Sequence, residues 1–348
     1  MKRLLFTAGP VEVRQEVLDA MRFPMITHRG GEYKELHHSI VERMQRLLRT
    51  DNDILLFVSS ATGAMEAAVR SGVQRKIMHL VSGAFGERWV EISKTNGKEV
   101  IERSVPWGAH ISDCMGDVPE DVEAVAVTHN ETSTGVMNPL EQIAEDVHSR
   151  SDALLLVDAV TSAFAVDIDM KKVEPDFLLF GTQKALALPP GLAFGVVSQR
   201  YLERCRKVTG RGRYFDVLEI KEFADRHLCP STPPISLMYA LDFQLERIEK
   251  EGMKQRAARH HELGELARTW ARERMSLFPQ SHFSETVTCV RNTAGIDYAS
   301  LSSALAERGF QISEGYGKLK KETFRIGHMG DITVEEMRSL LAAMDEVI

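Results

Sequence analysis

The sequence predicts an α/β protein with a mostly parallel sheet, followed by a smaller α+β domain. Between about residues 50 and 200, short apolar runs alternate with amphipathic stretches. Nearly continuous apolar strands separated by helices indicate a parallel sheet that helices cover on both faces. After residue 245, a strand, a helix and a strand pair replace this alternation. The change favours a second domain rather than an extension of the first.

The elements of the large domain follow from the periodicity of its apolar residues. Its apolar runs predict strands at 53–59, 76–81, 122–128, 153–157, 177–180 and 192–197. The amphipathic stretches between these runs predict helices at 64–73, 87–95 and 140–150. The polar stretch 236–275 predicts one long helix, whose His260 and His261 are interpreted as surface residues. His37 and His38 receive the same interpretation because their surroundings are also polar.

The small domain is predicted from a different pattern. The elements expected there are a strand at 286–291, a helix at 299–308, a strand pair at 311–313 and 323–327, and a closing helix at 333–347. Thr333 and Glu336 form a capping-box pattern at the start of that last helix. We place the large domain at 15–245 and the small domain at 246–348, with residues 1–14 packing near the boundary.

The composition argues against several classes of function. The chain has 348 residues and a net charge of −7 with mixed charges, which predicts no surface for nucleic acid or anionic membranes. Its four cysteines, of which Cys114 is the first, show no Cys-x-x-Cys spacing. We therefore expect no structural metal and a reducing compartment. No apolar run approaches the roughly 18 residues of a membrane helix, and the run after Met1 is too short for a signal peptide. A cytoplasmic location is expected.

Small and acidic residues follow two of the predicted strands, at the edge where α/β proteins bind ligands. Ser60, Ala61 and Thr62 lie between a strand and a helix, and N–H groups at a helix N-terminus bind anions such as phosphate. An ordinary helix cap explains these residues equally simply. Asp158 follows an apolar strand, where a buried carboxylate calls for a cationic partner. The alternative is that Asp158 caps the next segment.

Two basic residues lie in apolar surroundings. Lys184 emerges from an apolar strand into Gly-Thr-Gln-Lys-Ala at 181–185. A desolvated lysine has a depressed pKa and forms Schiff bases, whereas a solvated loop lysine is the alternative. Arg325 lies in the apolar strand Phe-Arg-Ile-Gly at 324–327. Such an arginine invites a carboxylate held by two hydrogen bonds, although an internal salt bridge would explain it as well.

Taken in this order, the segments resemble the class V aminotransferases of pyridoxal-phosphate (PLP) fold type I. The resemblance runs nearly end to end. Its most specific parts are Glu-Thr-Ser-Thr-Gly at 131–135, Gly-Thr-Gln-Lys-Ala at 181–185, Pro-Pro-Gly at 189–191 and Phe-Arg-Ile-Gly at 324–327. The alanine–glyoxylate and serine–pyruvate aminotransferases are the most similar group, followed by 2-aminoethylphosphonate transaminase. The resemblance implies a seven-stranded, mostly parallel sheet in the large domain and PLP as the cofactor.

The resemblance also implies a role for each matching residue. Lys184 would hold PLP as an internal aldimine and move the proton between substrate and cofactor, and Asp158 would keep the pyridine nitrogen protonated. Arg325 would bind the substrate α-carboxylate. The other expected cofactor contacts are Ser60, Ala61, Thr62 and Gln183 at the phosphate, Phe85 on the ring and Thr132 at the phenolic oxygen. The neighbouring subunit of a homodimer would reach the phosphate through Ser231 or Thr232.

Some residues depart from the family pattern without removing a required group. Ala61 replaces a common glycine, Phe85 replaces tryptophan or tyrosine, and Leu228 lies near the position of an expected tyrosine. These changes predict fewer contacts to the cofactor.

Three other classes of protein fit the sequence less well than an aminotransferase. A cysteine desulfurase would need a histidine directly before the lysine and a mobile cysteine in the C-terminal domain. This chain has Gln183 before the lysine, and its last cysteine is Cys289. Non-catalytic PLP-fold proteins usually lose the lysine or the acid, and both are present. A dinucleotide-dependent dehydrogenase is disfavoured because no Gly-x-Gly-x-x-Gly follows the first strand.

The expected function is therefore transfer of an amino group from alanine or serine to glyoxylate or pyruvate. The reasons are the family resemblance and a single arginine placed to bind a carboxylate. A 2-aminoethylphosphonate–pyruvate transaminase is the alternative. Its phosphonate would need further basic residues, for which Arg29, Arg211, Arg213 and the lysine-rich run 318–321 are the available sources.

Overall fold

The computed structural model describes residues 3–113 and 116–348, so Cys114 lies outside the described residues. The strands are β1 (Leu4–Phe6), β2 (Asp53–Phe57), β3 (Lys76–Val81), β4 (Glu99–Ser104), β5 (Ala124–Thr128), β6 (Asn130–Glu131), β7 (Val136–Met137), β8 (Leu154–Asp158), β9 (Phe177–Gly181), β10 (Ala193–Val197), β11 (Ser276–Leu277), β12 (Val287–Arg291), β13 (Phe310–Glu314) and β14 (Thr323–Gly327). The helices are α1 (Gln15–Ala20), α2 (Gly31–Leu48), α3 (Ala61–Gly72), α4 (Ala84–Thr95), α5 (Leu140–Arg150), α6 (Met170–Val173), α7 (Gln199–Cys205), α8 (Val217–Ala224), α9 (Ile235–Glu251), α10 (Met253–Arg274), α11 (Tyr298–Glu307) and α12 (Val334–Asp345).

The larger sheet has seven strands in the order β2-β10-β9-β8-β5-β3-β4. All neighbours pair in parallel except β10, which is antiparallel to both β9 and β2. The predicted mostly parallel, seven-stranded sheet is confirmed. Because β10 alone is reversed, β2, β3, β5, β8 and β9 all present their carboxyl ends at one edge.

Helices cover both faces of this sheet, which explains the nearly continuous apolar strands. Adjacent residues of β2 belong to different hydrophobic cores. Leu55 packs with the side chains of α3 and α7, whereas Leu56 packs with those of α2 and α9. Leu178 and Leu179 divide between the cores in the same way. Successive side chains of a strand point to opposite faces, so both positions must be apolar when both faces are buried.

The second sheet has five strands in the order β1-β13-β14-β12-β11. The N-terminal strand β1 pairs in parallel with β13, so the start of the chain packs with its last third. The predicted strand pair is present as β13 and β14, which are antiparallel. Thr333 and Glu336 form the predicted capping box at the start of α12. Strand β14 lies between β12 and β13 and carries Arg325.

The expected single helix at 236–275 is wrong, because the segment forms α9 and α10. Gly252 separates them with a φ of +81°, a backbone conformation that glycine adopts without a steric penalty. Helix α9 runs through residue 245, so the domain boundary placed there stays a prediction. None of the helices in the described ranges is long and apolar enough to cross a membrane.

The interpretation of His260 and His37 as surface residues is also wrong. Both are almost fully buried. His260 Nδ1 donates to the Arg256 carbonyl at 2.8 Å, and its Nε2 accepts from the Gly330 N–H at 3.1 Å. The polar sequence of α10 gave no sign of this burial, and the partner Gly330 comes from a segment 70 residues later.

Candidate active site

Most of the predicted cofactor residues meet in one cavity at the carboxyl edge of the larger sheet. Eight of the ten line it: Ser60, Ala61, Thr62, Phe85, Thr132, Asp158, Gln183 and Lys184. They lie at or after the carboxyl ends of β2, β3, β5, β8 and β9, which the topology brings to one edge of the sheet. Four residues that the sequence did not single out complete the lining: Met65, Arg88, Val160 and Thr161.

Lys184 is a buried amine with an altered basicity. Its Nζ donates a hydrogen bond to the carbonyl of Ala8. Burial, followed by the nearby charge of Arg325, lowers the pKa of Lys184 to about 8. Gly9 packs so closely that a Cβ there would lie 2.7 Å from Lys184 Cε, and its φ is +109°. The N-terminal segment therefore forms a wall of the lysine pocket, which only glycine can form at this position.

Asp158 is a buried acid without a cation in contact. Burial raises its pKa from 3.8 to about 7, although the Val160 N–H donates to its Oδ1 at 2.9 Å. No lysine or arginine of the described chain is recorded within ion-pairing distance of this carboxylate. A protonated pyridine nitrogen would supply the missing partner, so this position fits the PLP ring.

The start of α3 fits an anionic group. Ala61 is the first residue of the helix, and Ser60 caps it without a side-chain hydrogen bond. The first N–H groups of a helix have no partner within the helix, and its dipole favours negative charge. Gln183 lines the cavity nearby, and its side-chain amide carries two N–H donors. These groups fit the PLP phosphate, because an amide and free N–H groups can donate to its oxygens.

Glu131 holds the start of α4 in position, a role that the sequence analysis missed. This fully buried carboxylate accepts hydrogen bonds from the N–H groups of Phe85 at 3.0 Å and Gly86 at 3.2 Å. It also accepts from the N–H and hydroxyl of Ser133, at 3.0 and 2.6 Å. Burial raises the pKa of Glu131 despite these donors. The carboxylate thereby places the Phe85 ring at the cavity wall.

Thr132 belongs to the same loop. Its hydroxyl shares a 2.6 Å hydrogen bond with that of Thr161, and both side chains line the cavity. Its carbonyl accepts a hydrogen bond from Arg325 Nη1 at 3.2 Å. Thr132 thus connects the cavity wall to the second sheet.

Arg325 approaches the cavity from β14. Besides Thr132, its recorded contacts are the Glu314 carbonyl at 3.1 Å and the Tyr316 ring, whose centre lies 5.4 Å from the guanidinium carbon. Two carbonyls and a ring leave the positive charge of this guanidinium without a carboxylate. Burial lowers the pKa of Arg325, but an arginine remains charged at neutral pH.

Ser231 and Thr232 lie outside the cavity of their own chain. Ser231 lines a separate groove with Cys229 and Pro230. Arg29 donates to the Cys229 and Pro230 carbonyls at 2.7 and 3.1 Å, so this arginine supports that segment instead of the Lys184 cavity. The expectation that this segment reaches a neighbouring cofactor stays a prediction.

Tyr316 and Arg88 are the main residues that sequence analysis missed. Tyr316 stacks on Phe85, with ring centres 5.4 Å apart and an angle of 22° between the rings. Arg88 donates to the Tyr316 hydroxyl at 2.7 Å, and its guanidinium carbon lies 4.8 Å from the centre of the Phe85 ring. From the sequence alone, Arg88 is an ordinary polar residue of an amphipathic helix. The single indication that it belongs to the site is its position one helical turn after Phe85.

The fold and this cavity define a PLP-dependent enzyme of fold type I. A sequence profile described as aminotransferase class-V matches residues 4–321. The chain belongs to this family, its activity is that of a transaminase, and its cofactor is pyridoxal 5′-phosphate. The fit of the Asp158 carboxylate and the α3 N-terminus to the two ends of this cofactor agrees with the family.

Three known proteins illustrate the similarity. An uncharacterised aminotransferase of Methanocaldococcus jannaschii is 34% identical over 99% of this chain and 92% of its own length. An L-aspartate–glyoxylate aminotransferase of Paracoccus denitrificans is 28% identical over 99% of this chain and 90% of its own. The crystal structure of an alanine–glyoxylate aminotransferase from Nostoc superposes with a TM-score of 0.91 and 27% identity, covering 100% and 95% of the two chains.

Proposed function

We propose that the protein transfers the amino group of a small amino acid, alanine or serine, to a small 2-oxo acid, glyoxylate or pyruvate. The observation that carries this proposal is Arg325, a guanidinium near the lysine cavity whose recorded contacts include no carboxylate. A carboxylate of the substrate would neutralise it through paired hydrogen bonds. We further propose a cytoplasmic homodimer in which Ser231 or Thr232 reaches the partner's site.

Each residue of the cavity has a part in this reaction. When bound, PLP supplies a carbonyl for the donor amine and an electron sink for the bond that breaks. Asp158 would hold a proton on the ring nitrogen. Burial raises the pKa of Asp158 in the absence of a partner, and an ion pair with the protonated nitrogen would favour the charged form of the carboxylate. Lys184 Nζ would hold the cofactor, take the proton from the donor Cα and pass it to the cofactor carbon that accepts it, because a pKa of about 8 leaves part of the amine neutral.

The aromatic rings beside Arg325 favour a small substrate. Phe85 and Tyr316 stack on each other, and Tyr316 packs against Arg325, so a bulky side chain of an amino acid held by Arg325 would meet these rings. Glyoxylate is the acceptor named for both the Paracoccus and the Nostoc proteins, which supports it as an acceptor here. The donors named for these two proteins differ, so the choice of alanine or serine rests on the two rings beside Arg325.

Five of the six basic residues that a phosphonate could use are engaged elsewhere. Arg211 pairs with Asp216 at 3.0 Å, Arg213 with Glu219 at 3.4 Å, and Lys320 with Glu314 at 3.5 Å. Lys318 lies over the Trp107 ring at 3.9 Å, and Arg29 binds backbone carbonyls. None of these residues is among those that line the Lys184 cavity. The 2-aminoethylphosphonate alternative therefore lacks support from them.

The test is a transamination assay with the four pairs of alanine or serine with glyoxylate or pyruvate. The proposal expects amino transfer for at least one pair. Arg325→Ala should raise KM for amino acids far more than for a decarboxylated amine, because it removes the carboxylate partner. Arg291→Ala, an exposed arginine of the adjacent strand β12, is the matched control and should retain the wild-type KM. Equal effects on both kinds of amine would make Arg325 structural and contradict the proposal.

A further inference from the structure

A second guanidinium lies at the same cavity. Arg88 lines the cavity with Lys184, and it is only half-buried. Its recorded contacts are the Tyr316 hydroxyl at 2.7 Å and the Phe85 ring at 4.8 Å. Neither contact neutralises its charge. A cavity that contains an uncompensated arginine is electrostatically suited to an anion.

Tyr316 connects this guanidinium to that of Arg325. The Arg88 side chain meets the hydroxyl end of Tyr316, and Arg325 meets the ring. The two guanidinium groups are therefore separated by little more than one phenol ring. Tyr316 accepts the hydrogen bond from Arg88, so its own O–H proton can donate to an anion bound beside it.

Within the described residues, the contacts of the two arginines at the cavity include no carboxylate. Lys184, Arg88 and Arg325 contribute positive charge, and two carboxylates, Asp158 and Glu131, lie beside them. Glu131 is fully occupied by four donors from the start of α4 and the Ser133 loop. Asp158 lies where the cofactor nitrogen would pair with it. Neither carboxylate is therefore available to the two arginines.

We propose that Arg88 and the Tyr316 hydroxyl form a second anion subsite, which binds the side-chain carboxylate of a dicarboxylic amino acid while Arg325 binds its α-carboxylate. Aspartate and its 2-oxo acid have the length that spans one phenol ring. This inference rests on the proposed transamination but extends its donors beyond alanine and serine. The planar guanidinium matches a carboxylate with two parallel hydrogen bonds, which a lysine could not provide.

The test measures ligand binding to the holoenzyme by calorimetry, with succinate and butyrate as a pair that differs by one carboxylate. The wild-type protein should bind succinate about 10- to 100-fold more tightly, as expected for a hydrogen bond to a charged group. Arg88→Gln should remove this preference while it retains a donor for Tyr316. Arg88→Lys should keep part of it. In activity assays, Arg88→Gln should lower the ratio of kcat/KM for aspartate to that for alanine by about the same factor.

Lys94→Gln is the matched control, because it removes one positive charge from the exposed face of the same helix, where Lys94 lies 3.7 Å from Glu102. This variant should retain the succinate preference. The visible absorption of bound cofactor verifies that each variant is folded.

A wild-type protein that binds both acids equally, or an Arg88→Gln protein that still prefers succinate, overturns the proposal. Turnover of 2-aminoethylphosphonate, instead of aspartate, that depends on Arg88 would overturn the carboxylate assignment. If neither alanine nor serine reacts but the Arg88-dependent preference persists, the proposed donors fail and the subsite stands.

Discussion

Replacing Asp158 by asparagine should stabilise the apoprotein while it weakens the enzyme. The folded apoprotein holds the proton of this buried carboxyl up to a pH of about 7, whereas the unfolded chain releases it near 3.8, its ordinary pKa. The folded state therefore loses stability as the pH rises from 4 through 7. The difference between these pKa values corresponds to about 4 kcal/mol at pH 8 and about 3 kcal/mol at pH 6.

An asparagine carries no charge, so Asp158→Asn removes this penalty but adds the smaller cost of a buried amide. We expect the free energy of unfolding of the apoprotein to rise by about 2–4 kcal/mol at pH 8, and by about 1 kcal/mol less at pH 6. The assay is urea denaturation of cofactor-free protein at both pH values. Transaminase activity should fall in parallel, because the ring nitrogen loses its ionic partner. A residue that lowers the stability of the folded protein but is needed for activity is typical of active sites.

Asp176, the residue before β9, provides a control for which the expected change in stability has the opposite sign. This buried carboxylate accepts hydrogen bonds from the Leu155 N–H at 2.9 Å and the Ser198 hydroxyl at 2.7 Å, and it pairs with Arg200. Asp176→Asn should destabilise the protein by about 1–3 kcal/mol, because it removes the charge of a satisfied network. An Asp158→Asn apoprotein that is less stable than wild type at pH 8 would refute the reasoning.

Further outcomes follow from the same geometry. Lys184→Ala should abolish both turnover and the borohydride-trapped PLP adduct, and an adduct mapped to another peptide would show that Lys184 is the wrong lysine. Glu131→Ala should lower the free energy of unfolding by about 3 kcal/mol, measured by denaturation, because it leaves the donors of Phe85, Gly86 and Ser133 unpaired. The rate of cofactor uptake by the apoprotein should rise from pH 6 to pH 9, since the Lys184 amine loses its proton around 8 and Asp158 ionises around 7. A flat pH profile in rapid-mixing absorbance would contradict these two pKa values.

The sequence predicted those parts of the molecule that local patterns determine. Strand β3 (Lys76–Val81) and helix α5 (Leu140–Arg150) have the predicted bounds, because a strand buried on both faces and an amphipathic helix carry clear periodicities. The strand-end positions of Asp158 and Lys184 were predicted from the same strand pattern, and both residues line the cavity. Once a parallel sheet is recognised, its carboxyl edge is the place to search for a site.

The residues that were missed depend on contacts between remote segments. Arg88 is on a helix, and Tyr316 comes from a loop more than 200 residues later, so only the folded chain brings them together. Arg256 was likewise hidden in a polar stretch. It is almost fully buried and donates to the carbonyl of Phe164 at 2.9 Å and to that of Ala185, next to Lys184. No periodicity of α10 predicts these acceptors.

We propose that Lys184 and Asp158 hold PLP in a cavity that serves small amino acids. The visible absorption spectrum of the purified protein, recorded during titration with L-alanine, L-serine and 2-aminoethylphosphonate, tests this proposal. We expect a yellow cofactor band that alanine or serine bleaches to the pyridoxamine form, while the phosphonate leaves it unchanged. The absence of a band after addition of PLP, or bleaching by the phosphonate alone, would contradict it.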